Sequence, residues 1–168
     1  MISGETHVLR MVWHPFHFEG AALKTSAFDR ADLVPDRDQQ GAYRYVSVDR
    51  SDIIQKDSVD WRVFAQQRDG RAEKHGRHNA KFVQFLCDDI RKCVDDEDRL
   101  PFNVTYEPVK AGIDGSPENR AHCALRNVSG KTGSNSEMRA YVEQLRTKLL
   151  QIKKGVLCYP EIFPISRA

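Results

Sequence analysis

Histidine is the residue type in this chain with the clearest capacity for chemistry, because imidazole gains or loses a proton near neutral pH without help from its surroundings. Five of the six histidines fall into three short groups: His14 with His17, His75 with His78, and His122. Clustered imidazoles are typical of sites that transfer protons or bind metals. No spacing among them completes a motif that defines one reaction.

The first pair, His14 and His17, has the spacing His-x-x-His and lies among Trp13, Phe16 and Phe18. Such rings can be positioned for catalysis or for a metal. The alternative is structural, with both rings hydrogen-bonded to backbone carbonyl groups, and it is the commoner situation for partly buried histidines. No cysteine pair has the Cys-x-x-Cys spacing that marks zinc sites. We therefore predict neither a metal nor another cofactor.

The second pair lies in the most polar stretch of the chain, residues 66–79, which has almost no apolar residue to bury. We predict an exposed basic loop here. Its cations include Arg71, Lys74 and Arg77, and such side chains can hold phosphate groups of a nucleotide or nucleic acid. A plain solvated loop is the alternative, because acidic residues dilute the positive charge.

His122 lies within a predicted strand, where successive side chains face opposite sides of a sheet. It shares a face with Ala124 and Arg126, whereas Cys123 points the other way and is expected in the core. His122 and Cys123 therefore cannot act together as base and nucleophile. The face that carries His122 and Arg126 suits an active-site cleft or an ordinary polar surface, and both alternatives remain open.

The tripeptide Gly130-Lys-Thr132 matches the end of the phosphate-binding loop of nucleoside triphosphatases and lies between a predicted strand and a predicted helix. The complete motif has a further glycine five residues before Gly130, and Leu125 occupies that position. Without this glycine the bend that turns backbone amides toward phosphate is missing. We therefore do not expect a nucleoside triphosphatase of this type.

The elements that must position these residues are several strands and one long helix. Helical spacing of apolar residues predicts a helix over Glu137–Ile152, capped by Ser136 and packed through Met138, Val142, Leu145 and Leu149. Strands and helices do not alternate, which favours a single α+β domain over residues 1–168, with a mixed or antiparallel sheet. Apolar alternation predicts strands over Val8–Trp13, Tyr43–Val48, Phe102–Val109 and Ala121–Val128.

Three shorter segments carry weaker signals. Lys81–Leu86 is interpreted as a strand followed by a helical turn over Asp88–Val94, although one continuous helix also fits the spacing of apolar residues. Asp95–Asp98 has four consecutive acidic residues, which predicts a solvated turn. Val156–Tyr159 is predicted to form a last short strand before Pro160.

The overall composition is that of an ordinary globular protein of 168 residues, with 40% hydrophobic and 30% charged residues. The formal net charge of +2 does not by itself require nucleic acid or a membrane as partner. No signal peptide or membrane-spanning stretch is recognisable, so we expect a cytoplasmic protein. In that compartment the four cysteines are expected to be free thiols, most of them buried.

Several short motifs occur in order along the chain: His14-Pro15, Ser26-Ala-Phe28, a strand with Ser47 between two valines, and Ala121-His122. This layout resembles a group of small uncharacterised bacterial proteins, in which a His-Pro step precedes a Ser-x-Ala-Phe-like element, a Leu-Ser-Val strand and a later Ala-His. The resemblance spans most of the chain and implies no activity, because none is known for the group. It singles out His14, Ser47 and His122 together.

A second resemblance, at the level of fold only, is to ADP-ribosyltransferase-like proteins. These place an arginine or histidine on the first strand, a serine on a following strand and a late polar residue across a nicotinamide cleft. Arg10 or His14, then Ser47, and then His122 or Glu107 follow the same order here.

Two functional hypotheses follow. The first is an enzyme that acts on a phosphate-bearing substrate, a nucleotide or RNA, with histidines as general acid and base. The second is a non-enzymatic binding or regulatory module, with a protein partner, in a phage or defence operon. The candidate catalytic residues are His14, His17, Ser47 and His122, and the candidate substrate-binding residues are Arg10, Arg126, Arg71, Lys74 and Arg77. Convergence of the catalytic residues on one pocket would favour the enzyme.

Overall fold

A computed structural model describes residues 2–35, 44–54, 80–113 and 118–158. The elements are β1 (His7–Trp13), β2 (Phe18–Glu19), β3 (Ala22–Leu23), β4 (Val46–Arg50), β5 (Ala80–Leu86), α1 (Cys87–Lys92), β6 (Phe102–Tyr106), β7 (His122–Asn127), α2 (Asn135–Ile152) and β8 (Gly155–Cys158). Six of the strands form an antiparallel sheet with the order β6-β7-β4-β1-β5-β8, and β2 and β3 form a separate hairpin. The predicted α+β class, with an antiparallel sheet and one long C-terminal helix, is confirmed.

Two strands, β4 and β6, depart from their predicted ranges by two residues or more, because pairing with a neighbouring strand decides where a strand begins and ends. β4 begins at Val46, the first residue with a partner on β7, and runs two residues beyond the predicted end to Arg50. β6 ends at Tyr106, shortly before Pro108, which has no amide hydrogen for a ladder. Val109 pairs only in an isolated bridge with Asn119.

The segment after residue 80 is a strand followed by a short helix. Seven consecutive residues of β5 pair with β1, from Ala80 opposite Trp13 to Leu86 opposite His7. The alternative of one continuous helix is therefore wrong, because the long edge of β1 provides backbone partners for this whole segment. α1 begins directly afterwards at Cys87. The predicted last strand is also present, as β8 on the edge of the sheet.

Helix α2 covers one face of the sheet with its apolar stripe. Val142, Leu145 and Leu149 are buried in one cluster with strand residues such as Val48 and Leu125, and Met138 packs against the same cluster. The four predicted packing residues are therefore confirmed. On the opposite face a smaller apolar cluster contains Leu9, Ile54, Phe82 and Ala121. The rest of that face, on β4, β7 and β6, carries polar side chains.

The N-terminus of α2 is capped by Ser134, and the prediction of Ser136 as the cap was wrong. The Ser134 hydroxyl accepts from the Glu137 amide at 3.4 Å, while the Glu137 carboxylate accepts from the Ser134 amide at 2.7 Å. This reciprocal arrangement needs a glutamate three residues after the serine, and Glu137 has that spacing only from Ser134.

Replacing Ser134 with alanine is therefore expected to lower the free energy of unfolding by about 1 kcal/mol, the usual cost of losing an N-cap side chain. Ser136→Ala is the matched control and should change it by less than about 0.5 kcal/mol, as an exposed surface substitution does. Urea unfolding followed by circular dichroism measures both. A larger loss for Ser136→Ala would contradict the observed cap.

The prediction of a solvated turn over Asp95–Asp98 was wrong at Asp95. The last three residues of that turn are exposed, but Asp95 is only 2% exposed. Its Oδ1 accepts from the amides of Glu97 and Arg99, both at 2.9 Å, and its Oδ2 accepts from the Tyr141 hydroxyl at 2.9 Å. The carboxylate therefore joins the turn after α1 to helix α2.

The cysteines are free thiols as predicted, with Cys87, Cys93 and Cys123 buried and Cys158 exposed. Cys123 lies in the core, on the face opposite to that of His122. In the described part of the chain, no helix has both the length and the apolar character needed to cross a bilayer.

Candidate functional site

The polar part of the sheet face opposite α2 brings Asp49 of β4 directly opposite His122 of β7. The Arg50 amide donates to the Ala121 carbonyl at 2.9 Å, so Arg50 and Ala121 form the hydrogen-bonded pair of the ladder. Asp49 and His122 consequently form the adjacent non-hydrogen-bonded pair, in which opposite side chains lie closest together. We call Asp49, Glu107, Asn119, His122 and Arg126 the His122 cluster.

The ring of His122 is held through one nitrogen. Nδ1 lies 2.8 Å from the backbone carbonyl oxygen of Glu107, and because a carbonyl only accepts, Nδ1 carries the proton and donates it. In the neutral ring Nε2 is then a proton acceptor, and it has no hydrogen-bond partner among the described residues. The Tyr45 ring packs edge-on at 5.5 Å. A fixed ring with an unprotonated Nε2 is the arrangement that a general base requires.

The Asp49 carboxyl is buried beside this ring, with 7% exposure. The Asn119 side-chain amide donates to Asp49 Oδ1 at 2.9 Å, and the Asn119 oxygen accepts from the Ala121 amide at 3.0 Å. Burial raises the pKa of Asp49, and although the Asn119 hydrogen bond and the nearby charges of His122 and Arg10 lower it, the net change is upward. Asp49 therefore holds a proton more tightly than a solvated carboxyl group. Buried carboxyl groups of this kind are frequent in functional sites.

Arg10 lies just beyond the short stretch over which β1 and β4 pair. The pairing of β1 with β4 covers only two residues of each strand. Beyond them, Arg10 donates from Nη1 to the backbone carbonyl of Ser47 at 3.0 Å. Burial raises the pKa values of Asp32 and Asp49, and the nearby positive charge of Arg10 lowers both pKa values by a smaller amount. Arg10 is thus a positive charge held within the fold, near the half-buried Asp32 and the buried Asp49.

Arg126 and Glu107 form a two-point ion pair at the outer side of the cluster. Arg126 donates from Nη2 to Glu107 Oε2 at 2.6 Å and from Nε to Oε1 at 3.2 Å, and the Thr105 hydroxyl donates to the same Oε1 at 2.5 Å. Burial raises the pKa of Glu107, but these bonds and the charge of His122 outweigh it and lower the pKa. The Arg126 guanidinium also lies 5.2 Å from the centre of the Tyr45 ring. Tyr45 therefore contacts both His122 and Arg126.

Ser47 lies on the same face as Asp49, two residues before it on β4 and opposite Ala124 on β7. This places it diagonally across from His122, since His122 is two residues from Ala124. The structure thus brings three predicted site residues, Ser47, His122 and Arg126, to the sheet face of Asp49. Arg10 alternates onto the other face, with Val8 and Val12.

The other two predicted histidines belong to the turn that follows β1. The Trp13 amide donates to Nδ1 of His17 at 3.1 Å, so the proton of the neutral His17 ring is on Nε2. The His14 ring packs against Phe18, with 5.4 Å between ring centres. Leu9 of β1 lies opposite Asp49, whereas His14 and His17 follow Trp13 at the far end of that strand, away from the His122 cluster.

Three predicted substrate-binding residues, Arg71, Lys74 and Arg77, lie outside the described residues together with the rest of the predicted basic loop, 66–79. Within the described ranges, no group of three or more histidine, cysteine or acidic side chains is arranged to hold a metal ion.

Three residues of the site were not predicted from the sequence: Tyr45, Asp49 and Asn119. For two of them a signal was present. Tyr45, Ser47 and Asp49 alternate with the buried residues Val46 and Val48, which predicts that all three share the other face of the strand. Nothing in the sequence connects Asn119 to Asp49, which lies 70 residues earlier.

Replacing Asp49 with asparagine is expected to raise the free energy of unfolding at pH 7. The amide keeps an oxygen for Asn119 and removes the buried charge. Because the folded-state pKa of Asp49 is raised, its carboxyl group costs stability as the pH rises above the unfolded-state pKa. The gain should therefore vanish near about pH 3, where the carboxyl group is protonated in both states. Urea unfolding at both pH values tests this, and a lower midpoint for Asp49→Asn at pH 7 would contradict it.

Comparison of the chain with protein-family models, with curated proteins and with solved structures found no match.

Proposed function

We propose that this protein is a small enzyme that acts on a phosphate-bearing substrate, a nucleotide or RNA, and uses His122 to transfer the proton. The observation that carries the proposal is the hydrogen bond from His122 Nδ1 to the Glu107 carbonyl oxygen at 2.8 Å. This bond fixes the tautomer in which Nε2 accepts a proton. The buried Asp49 carboxyl group lies on the neighbouring strand at the same level of the sheet.

In the proposed reaction His122 Nε2 takes a proton from the attacking hydroxyl group or water as that oxygen bonds to the electrophilic centre. The carboxylate of Asp49 stabilises the imidazolium that forms, because it lies opposite His122 in a buried setting where water screens the attraction little. Ser47 lies beside both residues on the sheet face and positions the substrate. The proton then passes from His122 to the leaving group.

Tyr45 supports the choice of a nucleotide or RNA as substrate. Its residue exposure of 37% leaves part of the ring accessible, while the ring also contacts His122 and Arg126. An exposed aromatic ring on a sheet face, backed by an arginine, is a surface on which a nucleobase stacks. A base stacked on Tyr45 would place the adjoining sugar and phosphate within reach of His122.

The test is to incubate the protein with a panel of phosphate compounds and to measure the products by chromatography. The panel contains homopolymeric RNAs, nucleoside mono- and triphosphates, and a dinucleotide. Products formed by the unsubstituted protein but not by His122→Asn support the proposal. Products formed equally by both proteins, or by neither, contradict it.

The second candidate function is a non-enzymatic binding module, and one observation favours it. The candidate catalytic histidines lie in two places, since His122 is opposite Asp49 in the sheet, whereas His14 and His17 follow the far end of β1. His122, with 7% exposure, would then be a structural residue that joins β7 to Glu107. Under this alternative no product is formed in the panel, and Tyr45→Ala weakens binding of the panel's RNAs, which a direct titration of each RNA measures.

A further inference from the structure

A cavity of about 470 Å³ lies on the helix side of the molecule, away from the polar sheet face that carries the His122 cluster. Its walls come from three segments: the chain near Arg30, the loop that follows β7, and the first turns of α2. The volume is within the range of pockets that hold small organic molecules. The Gly130-Lys-Thr132 tripeptide, which does not complete a phosphate-binding loop, forms part of the wall.

Three cations line this cavity: Arg30, Lys131 and Arg139. Arg139 is exposed and forms no ion pair with the described residues. The other two have carboxylate partners, Glu143 for Arg30 and Glu97 for Lys131.

Each of these carboxylates also binds a further arginine. Glu143 lies 3.3 Å from Arg30 but 2.6 Å from Arg146 Nη1, and Glu97 also accepts from Arg99 Nη1 at 2.9 Å. Arg99 has Asp95 as a second partner, and the Glu137 carboxylate lies near Lys131, so the positive charge on that side is largely balanced. The charge of Arg30 is only partly balanced, because Arg30 and Arg146 share Glu143. The ion pair of Arg30 is also largely exposed, and such pairs contribute little, so an incoming anion can replace the carboxylate.

The lining also has apolar residues. Val34 and Pro35 belong to the chain that follows Arg30, while Met138 and Val142 belong to α2. Met138 is only partly buried, and a methionine at a partly open wall adapts to ligands of different shape. Thr132 and Asn135 add hydrogen-bonding groups near the cations. The cavity thus presents positive charge next to an apolar wall.

We propose that this cavity binds a phosphate monoester with an apolar or aromatic body, of the size of a mononucleotide. The phosphate contacts Arg139, Lys131 and Arg30, because arginine offers forked donors and lysine a compact charge to phosphate oxygens. The body of the ligand packs on Val34 and Met138. The first backbone amides of α2 contribute little, because Ser134 and Glu137 already form the reciprocal cap there.

The left-handed conformation of Gly130 supports the assignment of this loop to the site. Its φ of +65° is a conformation that glycine adopts without strain. It turns the chain directly after β7, so that the following residues, Lys131 and Thr132, form the cavity wall. This site is separate from the proposed activity of His122, and neither proposal depends on the other.

The test is isothermal titration with AMP, adenosine and inorganic phosphate as three separate probes at low ionic strength. We expect AMP to bind at least about tenfold more tightly than either of the others, since only AMP has both the phosphate and the apolar body. Arg139→Gln and Lys131→Gln should each weaken AMP binding about tenfold, as expected for the loss of a charge-assisted contact. Lys110→Gln, an exposed control outside the cavity, should leave it unchanged.

Three results would overturn the inference: no AMP binding at millimolar concentration, equal binding of AMP and adenosine, or AMP binding that both cavity substitutions leave unchanged. His122→Asn separates the two sites. If the cavity binds AMP, this substitution leaves AMP affinity unchanged. AMP binding that His122→Asn removes and Arg139→Gln preserves would place the ligand at the His122 cluster, contradicting the cavity site and supporting the proposed function.

Discussion

His122→Asn is expected to reduce turnover of the substrate identified in the panel by about 10²–10⁴-fold, the usual contribution of a positioned general base. Asparagine is the informative substitution because its amide group can occupy the place of Nδ1 and still donate to the Glu107 carbonyl oxygen. It removes Nε2, the only ring atom assigned to proton transfer. The fold is therefore kept while the proposed chemistry is lost.

Two matched variants sharpen this prediction. His122→Gln places a polar group near the former Nε2 position without basic character, and should be as inactive as His122→Asn. His14→Asn changes a histidine whose described contact is with Phe18, and should keep most of the activity. Initial rates at saturating substrate measure all three. Retained activity in His122→Asn would show that His122 does not transfer the proton and would contradict the proposed mechanism.

Asp95→Ala is expected to lower the free energy of unfolding by about 3–5 kcal/mol, the usual cost of removing one partner from a buried charged pair. The side chain of Asp95 is fully buried, and its carboxylate accepts from the Glu97 and Arg99 amides, the Arg99 guanidinium and the Tyr141 hydroxyl. Alanine leaves all four donors without this acceptor. Chemical unfolding measures the loss.

The neighbouring Asp96→Ala is the matched control. Its side chain is 72% exposed and pairs with Lys148, so it should cost less than about 1 kcal/mol. A similar loss for both variants would mean that Asp95 does not join the turn to α2. Tyr141→Phe, which removes one donor without opening a cavity, should lie between the two.

The lowered pKa of Asp95 makes the free energy of unfolding depend on pH. Burial raises its pKa, but the hydrogen bonds from Arg99, Glu97 and Tyr141 outweigh this effect and lower the pKa to about 2. Because the folded-state value is below the unfolded value, the contribution is complete above about pH 4 and is lost as the pH falls toward about 2. We expect roughly 2 kcal/mol to disappear in this window, and Asp95→Ala should show a correspondingly flatter profile.

Local patterns in the sequence were sufficient to predict the elements and the class of fold. The alternation in β1 and β7 and the helical spacing in α2 are properties of neighbouring residues, and burying one face of each element requires an α+β sandwich of sheet and helix. The same alternation placed Cys123 in the core and His122 on the opposite face, as observed. Element boundaries were less accurate, because they depend on pairing and capping partners.

Local patterns are therefore enough to predict the α+β class, the long C-terminal helix and the face on which His122 lies. They do not predict that Asp49 lies opposite His122, that Asn119 bonds to Asp49, or that Asp95 is buried. These contacts join segments that are far apart in the chain. Strand order and register create them, and neither is encoded in the periodicity of a single segment.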